Sequence, residues 1–309
     1  MEVSLKTRLG PIELSHPVIN ASGTFDVLSA DLVLEEDLFD RFPFSAYVPK
    51  TVTLKPRRGN PPPRLYETAA GLLNSIGLAN AGIDAFIRED LPRLAQLPVP
   101  VIASVAGEST DEYGACAGLM EGRPEVAAVE LNVSCPNLEL GGRALGLDPE
   151  RTHRTVALAR EATSKFLIVK LTPNVTDIVE IASAAVDAGA DALSLINTVH
   201  GMALDRYHLK PVLGHLSGGL SGPAIKPVAL RAVFLVSRAF ASLPIIGMGG
   251  VTDGQDALEF LAAGAAAVAV GTASFRDPLA AAGIANELRK LMQERGIGSV
   301  AELSGLAQR

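Results

Sequence analysis

Short apolar runs alternate with segments of helical hydrophobic spacing along almost the whole chain. The runs are rich in β-branched and small apolar residues and are predicted as buried strands, whereas three- and four-residue apolar spacing predicts amphipathic helices. The predicted strands are Val18–Ala21, Ala46–Lys50, Val99–Ser104, Ala127–Asn132, Phe166–Leu171, Ala192–Asn197, Pro244–Met248 and Ala267–Gly271. The predicted helices are Ala30–Phe39, Ile83–Leu94, Asp111–Met120, Pro149–Thr163, Thr176–Ala188, Ile225–Phe240, Asp253–Ala263 and Leu279–Glu294, with N-caps expected at Ser29, Asp148, Thr176 and Thr252.

Eightfold alternation of strand and helix favours one α/β domain over residues 1–309, a (β/α)8 TIM barrel. Strands apolar on both faces are typical of parallel sheets joined by right-handed crossovers. An open doubly wound sheet is the alternative, but no G-x-G-x-x-G motif follows the first strand. A small hairpin is expected before the first strand. Long loops at 51–80, 133–147 and 201–221 fall on the carboxyl-end face, where barrels carry their active sites.

Composition narrows the functional class. Among 309 residues 48% are hydrophobic and 20% charged, with a net charge of −7, which is ordinary for an enzyme and lacks the basic footprint of nucleic-acid binding. The longest apolar run is too short to cross a bilayer and the N-terminal segment lacks a signal-peptide core, so a cytoplasmic protein without membrane contact is expected. Two cysteines make neither a disulfide framework nor a metal site, and no metal is predicted.

Polar residues or glycines end nearly every predicted strand. Such groups are costly to desolvate without partners, so a shared polar ligand is expected at the barrel mouth. Glycine clusters after the last two strands predict a phosphate site, to which Ser221-Gly222, opening the helix after strand six, would add a third donor. The strand-end residues are Ser22, Lys50, Ser104, Asn132, Lys170, Asn197, Gly249, Gly250, Gly271 and Thr272.

Two lysines and four amides suggest what that ligand is. Lys170 is nearly surrounded by barrel, so it is expected to form an imine, as in aldolases, or to face the anionic edge of a flavin. Lys50 would hold a substrate carboxylate or a flavin oxygen. Amides offer a donor and an acceptor together and match a ring of alternating C=O and N–H groups. These amides are Asn74, Asn132, Asn137 and Asn197.

The two cysteines receive different interpretations. Cys135 lies at the tip of the loop after the fourth strand, where a thiol of lowered pKa could act as a general base. A buried structural cysteine is the alternative, and it suits Cys116, which lies within a predicted helix.

Motifs spread over nearly the whole chain resemble the class 1 dihydroorotate dehydrogenases, and within them the class 1B catalytic subunit. The cysteine in N-V-S-C-P-N distinguishes class 1 from class 2, which has serine there. The matching stretches are NASGTF from Asn20, KT from Lys50, GNPPPR from Gly59, NSIGLAN from Asn74, VIASVAG from Val101, LNVSCPN from Leu131, VKLTPN from Val169, NTVHGM from Asn197, GGLSGPAIKP from Gly218, GMGGV from Gly247 and VGT from Val270.

The resemblance implies a barrel with one FMN that oxidises dihydroorotate to orotate in pyrimidine biosynthesis. Cys135 would take the proton from ring carbon C5 while hydride leaves C6 for flavin N5. The residues implied around FMN are Ser22, Lys50, Thr51, Ser104, Asn132, Lys170, Ile196, Gly222, Gly249, Gly250, Gly271 and Thr272. Those implied for the substrate are Lys50, Asn74, Ser75, Ile76, Gly77, Leu78, Asn132, Asn137, Asn197 and Thr198.

The same resemblance has consequences for partners. Ser104 stands where the family usually has asparagine, so its flavin contact is expected to be shorter or mediated by water. Class 1B implies a homodimer core and an electron-transfer subunit that carries FAD and a [2Fe-2S] cluster and uses NAD. This chain has neither the cysteine cluster nor the dinucleotide fingerprint that such a subunit needs. The alternatives are a class 1A enzyme that uses fumarate, a related dihydropyrimidine dehydrogenase, and a lysine-dependent aldolase.

Overall fold

The computed structural model describes residues 3–34, 38–134, 139–140 and 143–309. The strands are β1 (Thr7–Leu9), β2 (Ile12–Leu14), β3 (Val18–Asn20), β4 (Val52–Thr53), β5 (Leu65–Thr68), β6 (Gly71–Asn74), β7 (Val101–Ala106), β8 (Val126–Asn132), β9 (Glu139–Leu140), β10 (Arg143–Ala144), β11 (Phe166–Leu171), β12 (Ala192–Leu195), β13 (Val199–Gly201), β14 (Gly218–Ser221), β15 (Ile245–Met248) and β16 (Ala267–Val270). The α-helices are α1 (Val27–Leu34), α2 (Ile83–Ala85), α3 (Leu91–Leu94), α4 (Thr110–Glu121), α5 (Pro149–Ala162), α6 (Ile178–Asp187), α7 (Lys226–Ala239), α8 (Gly254–Ala262), α9 (Ala273–Arg276), α10 (Ala280–Glu294) and α11 (Val300–Leu303).

Eight parallel strands form one curled sheet in the order β3-β16-β15-β12-β11-β8-β7-β4. The segment before β4 brings the two ends of this sheet together. The Ser45 backbone N–H donates to the Val18 carbonyl at 3.0 Å. The side-chain amide of Asn20 donates to the Val48 carbonyl at 2.7 Å and accepts from the Val48 N–H at 2.8 Å. The predicted (β/α)8 TIM barrel is therefore confirmed.

Alternate residues on each barrel strand separate two apolar cores, as the two-residue period of a strand requires. The larger core lies between the sheet and the surrounding helices and includes Val129 and Val169. The smaller core fills the barrel interior and includes Ile168 and Ile246. The hairpin of β1 and β2 adds Leu9 and its apolar neighbours to this interior, so the predicted N-terminal hairpin is also confirmed.

Some boundaries differ from the predictions. The predicted strand Ala46–Lys50 is represented only by a bridge from Tyr47 to Val101, and its ladder forms later, at β4. Asp148 is the N-cap of α5 as expected. The caps expected at Ser29, Thr176 and Thr252 are wrong. An aspartate performs the role in each case: Asp26, Asp177 and Asp253 accept hydrogen bonds from the first turns of α1, α6 and α8, where a negative charge is favourable.

The predicted long loops after the second and sixth barrel strands contain regular structure. Two pieces of each loop join in a four-stranded antiparallel sheet of order β13-β14-β6-β5. In its centre Asn74 pairs with Gly219, a residue 145 positions further along the chain. This sheet, the cover sheet, stands at the carboxyl-end face of the barrel and walls the cavity described next.

Candidate active site

A cavity of about 1610 Å³ opens at the carboxyl ends of the barrel strands. Small-molecule pockets are usually about 300–1,000 Å³, so this one has room for a nucleotide cofactor together with a substrate. The predicted site residues that line it are Ser22, Lys50, Thr51, Asn74, Ser75, Ile76, Gly77, Leu78, Asn132, Lys170, Ile196, Asn197, Thr198, Gly222, Gly249, Gly250, Gly271 and Thr272. Cys135 and Asn137 lie outside the described residues.

A network of hydroxyls centred on Thr51 lies in one wall of the cavity. The Thr51 Oγ1 atom is 3.1 Å from the hydroxyl of Ser22 and 2.9 Å from that of Ser104, and it accepts a hydrogen bond from the Asn132 amide at 3.2 Å. Ser104 is buried behind Thr51 rather than at the cavity surface. Behind Ser104 lies Glu130, which accepts a hydrogen bond from its hydroxyl at 3.1 Å.

The same network continues towards the loop that carries the predicted base. The Ser134 hydroxyl donates to the Asn132 side-chain carbonyl at 2.7 Å and accepts from the Asn197 amide at 2.7 Å. The Asn197 side-chain carbonyl in turn accepts the Thr198 backbone N–H at 2.8 Å. Two predicted substrate amides are thus locked to one serine, and that serine directly precedes Cys135 in the sequence.

Lys170 is a buried cation at the wall of the cavity. It is the second-last residue of β11, is 5% exposed, and lines the open space. Over the described ranges of the chain it has neither a hydrogen-bond acceptor nor an acidic partner within ion-pair distance. A buried ammonium group without a partner is costly, so its position fits a bound anion or electron-rich ring.

At the end of the cavity near β15 and β16, glycines allow the backbone itself to line the wall. Gly249 and Gly250, which follow β15, have φ angles of +125° and +83°, a region that favours glycine. A Cβ atom on Gly250 would lie 2.9 Å from the Gly222 carbonyl oxygen and 2.9 Å from the Lys226 Cβ, too close for any other residue. Beside them the Thr272 hydroxyl donates to the Ser221 hydroxyl at 2.8 Å. These groups, called the glycine cradle below, line the cavity at the place where the sequence predicts a phosphate.

An ion cluster behind the cradle fixes the backbone that follows it. The ammonium of Lys226 contacts Asp256 and lies 2.7 Å from Glu259. Asp256 also accepts from the Thr252 backbone N–H at 2.8 Å and hydroxyl at 2.6 Å. Burial acts to raise the pKa of Asp256, but the hydrogen bonds from Lys226 and Thr252 outweigh it, so this pKa lies below the ordinary aspartate value.

Asp256→Ala is expected to lower the free energy of unfolding by about 1–3 kcal/mol, because it removes a buried carboxylate that accepts hydrogen bonds from the Lys226 ammonium and from Thr252. A group with a lowered folded pKa stabilises the fold above its unfolded pKa and loses that contribution as the pH falls through the folded value. The deficit of Asp256→Ala, measured by urea unfolding, should therefore be full at neutral pH and shrink in acid. Glu259→Ala, which spares the Thr252 contacts, should cost less; an equal cost would contradict this account of the cluster.

Two predicted substrate residues lie against the central strand β14 of the cover sheet, one on each side. Gly218 and Gly219 on β14 lie between Asn74 and Thr198. A Cβ atom on Gly218 would lie 2.3 Å from the Asn74 carbonyl oxygen, and one on Gly219 would lie 2.0 Å from the Thr198 hydroxyl oxygen. The Asn74 amide also donates to the Gly219 carbonyl at 3.2 Å. Glycine is needed at both positions because the chain segments approach so closely.

A second brace holds the loop that follows Asn74. The side-chain amide of Asn60 donates to the buried Ser75 hydroxyl at 2.8 Å, and its backbone N–H donates to the Ile76 carbonyl at 3.0 Å. Arg57, which forms an ion pair with Glu108, pairs its backbone with Asn80 in both directions. Asn60 was not among the predicted site residues, because its role follows from a contact across the loop rather than from a strand end.

Cys116 lies away from this site. It is buried in α4, with its Sγ atom 3.7 Å from the Ala106 carbonyl oxygen. Burial, followed by the nearby Glu112 carboxylate, raises the pKa of its thiol to about 12. The thiol is therefore protonated at neutral pH, which suits a structural cysteine.

No three or more His, Cys, Asp or Glu side chains are grouped to hold a metal ion anywhere in the described portion of the chain. None of the helices in that portion combines the length and apolar character that crossing a membrane requires.

A barrel whose last strands end in a glycine cradle, with a buried lysine on the same cavity, defines an enzyme that binds a phosphorylated cofactor. The chain belongs to the dihydroorotate dehydrogenase family: the family model described as Dihydroorotate dehydrogenase matches residues 4–292. Similar proteins named "Dihydroorotate dehydrogenase B (NAD(+)), catalytic subunit" occur in Desulforudis audaxviator (50% identical, covering 100% of this chain and 99% of the relative) and Pelobacter propionicus (50%, 99% and 99%). The relative of that name in Geobacter sp. (strain M21) is 51% identical, over 95% of each chain.

Family membership implies FMN, and the described residues fit it. The glycine cradle, which an added Cβ would fill, suits the phosphate. Lys170 offers a buried cation without a protein partner among the described residues, and the Thr51 network offers hydroxyl and amide groups to a polar ring.

Proposed function

We propose that this chain oxidises (S)-dihydroorotate to orotate in de novo pyrimidine biosynthesis, as the catalytic subunit of a NAD-linked enzyme. The observation that carries the proposal is that one cavity is lined by the glycine cradle, Lys170 and the amides Asn74, Asn132 and Asn197. Membership of the dihydroorotate dehydrogenase family and the names of the relatives support the reaction.

The cofactor site is proposed at the cradle and in the wall beside it. Gly222, Gly249, Gly250, Gly271 and Thr272 would hold the phosphate of FMN. The ring would lie against the wall residues, which are Ser22, Lys50, Thr51, Asn132, Lys170 and Ile196, with Ser104 acting from behind Thr51. FMN, when bound, supplies the hydride acceptor. The Lys170 ammonium would favour the negative charge that accompanies reduction.

The substrate residues would orient the ring and remove a proton. Asn132 and Asn197 have their amides fixed through Ser134, so they present set donors and acceptors to the ring. Lys50 would pair with the substrate carboxylate. The substrate loop (Asn74–Leu78), Thr198 and Asn137 would complete the contacts.

Cys135 is proposed as the general base. Its thiolate would take the proton from C5 as the hydride leaves C6, so that the C5–C6 double bond of orotate forms and the electrons balance. The fixed position of Ser134 would limit the freedom of the base beside it.

Partners are part of the same proposal. The printed name of the relatives describes a catalytic subunit of a NAD(+) enzyme, so a separate subunit would pass electrons onward. We propose that this partner carries FAD and a [2Fe-2S] cluster and that the catalytic chain forms a homodimer. The cytoplasmic location and the single-domain organisation stay predictions from the sequence.

The decisive experiment is anaerobic mixing of the purified flavin-containing chain with dihydroorotate. Bleaching of the flavin absorbance with formation of orotate is expected, followed by reoxidation with NAD only when the electron-transfer partner is added. Reoxidation by fumarate without a partner would contradict the NAD-linked assignment. A flavin that dihydroorotate does not reduce would overturn the proposed reaction. Trapping of a carbonyl substrate on Lys170 by borohydride would favour an aldolase instead.

Asn60→Ala is expected to raise KM for dihydroorotate by about tenfold, because loss of one buried hydrogen bond costs about 1–3 kcal/mol and 1.4 kcal/mol is tenfold. The kcat value should change less, since Asn60 braces the substrate loop and touches no reacting atom. Steady-state kinetics with Asn286→Ala, an exposed asparagine of α10, provide the matched control. A fall in kcat at unchanged KM would refute the bracing role.

A further inference from the structure

Glu130 is a buried carboxylate that no step of the proposed reaction uses. It lies in the middle of β8, is 2% exposed, and accepts hydrogen bonds from the hydroxyls of Ser104 at 3.1 Å and Ser194 at 2.9 Å. Moving a carboxylate out of water is costly unless hydrogen bonds and a positive charge offset the loss. Two neutral hydroxyls offset only part of it, so a cation is expected nearby.

The strand order places Lys170 next to this carboxylate. β11 lies between β8 and β12, and Lys170 pairs with Asn132 on one side and with Ser194 on the other. Glu130 stands one inward-facing position below Asn132, opposite Ile168. The hydrogen bond between Glu130 and Ser194 therefore crosses the inner face of β11, beside the point from which Lys170 projects.

Lys170 and Glu130 lie on neighbouring strands but do not form a direct ion pair. Within the residues that the structure describes, no ion pair joins Lys170 to Glu130. Lys170 lines the cavity, whereas Glu130 lies beneath it and is absent from the cavity wall. The lysine can thus direct its charge at a ligand while the carboxylate, held by two serines, balances that charge from below.

We propose that Glu130 is a positioning residue that balances Lys170 from inside the barrel and so sets the redox potential of the bound flavin. This inference rests on the proposed function. Two-electron reduction adds negative charge to the flavin, which Lys170 favours and a nearby buried carboxylate disfavours, so Glu130 lowers the potential that Lys170 raises.

The test is the midpoint potential of the flavin in Glu130→Gln, a substitution that removes the charge but keeps the shape. The ratio of reduced-flavin to oxidised-flavin binding should rise at least tenfold, which corresponds to a shift of about 30 mV to more positive potential for a two-electron couple. Anaerobic titration against a reference dye measures it. Ser194→Ala removes a hydroxyl from the same carboxylate but leaves the charge, so its shift should be less than half as large.

An unchanged or lower potential in Glu130→Gln overturns the inference, and so does an equal shift in Ser194→Ala, which would show a packing effect. If Glu130→Gln does not fold or retain flavin, Glu130→Asp replaces it. That variant withdraws the carboxylate by one methylene and should give a smaller shift in the same direction; no shift overturns the inference. Wild-type protein that binds no flavin overturns it together with the proposed function, whereas normal reduction by dihydroorotate with unchanged variant potentials overturns this inference alone.

Discussion

Cys135→Ser is expected to lower the turnover of dihydroorotate by about 10²- to 10⁴-fold at neutral pH, the range for loss of a general base. A serine hydroxyl is a much weaker acid than a thiol, so almost none of it is ionised under these conditions. The residual rate of the variant should therefore climb as the solution becomes alkaline. Steady-state rates from neutral to alkaline pH, normalised to bound flavin, provide the measurement.

Cys116→Ser is the matched control for this prediction, because Cys116 and Cys135 are the two cysteines of the chain. Cys116 is buried in α4 and the pKa of its thiol is raised to about 12, so this thiol should not react with iodoacetamide at neutral pH. The substitution Cys116→Ser should therefore leave turnover unchanged. Iodoacetamide should inactivate wild type and Cys116→Ser at equal rates. Near-normal turnover in Cys135→Ser would remove Cys135 from the role of base.

Lys170→Met is expected to reduce turnover per bound flavin by about 10²- to 10³-fold, the usual effect of removing one group that stabilises developing charge in a preorganised site. Methionine fills the same apolar stem but carries no charge into the cavity. Flavin content should fall as well, because Lys170 would contact the cofactor. Single-turnover reduction of the flavin by dihydroorotate separates the rate from the occupancy.

Lys165→Met is the control for that substitution. Lys165 immediately precedes β11 and donates to the carbonyls of Arg123 at 2.8 Å and Val126 at 2.7 Å, near the opposite end of the strands. It should lower stability and leave turnover per flavin close to wild type. If both lysine variants reduce turnover equally, the charge of Lys170 has no special role in the reaction.

The strand-end residues could be predicted because parallel strands bring their carboxyl ends to one face, whatever the details of packing. Lys170 and Asn132 follow from that rule, and both line the cavity. Glu130 was missed, although it lies two residues before Asn132 and the two-residue period of a strand points both side chains inward. The available signal was a charge inside an apolar run, which lies before the strand end and so falls outside that rule.

The cover sheet could not be predicted from local pattern. Its central pairing joins β6 to β14, which are distant in sequence, and β14 reads GGLS, a run with little intrinsic strand preference. Such a strand forms because tertiary contacts select it. The N-caps of α6 and α8, in contrast, could be predicted from local sequence. Asp177 and Asp253 are good N-cap residues, but the neighbouring threonines, Thr176 and Thr252, were predicted instead.

The interleaving of β6 with β14 limits how the specificity of this enzyme can change. If only one of the two loops were replaced by that of a relative with another substrate, the new strand would have to pair with the original strand of the other loop. The two strands would not be matched in shape. Gly218 and Gly219, which leave room for Asn74 and Thr198, lie on β14, whereas Asn74 and Thr198 lie on other segments of the chain. We therefore expect transplanted selectivity to require exchange of 65–74 and 198–221 as one cassette, and single-loop chimeras to lose both substrates.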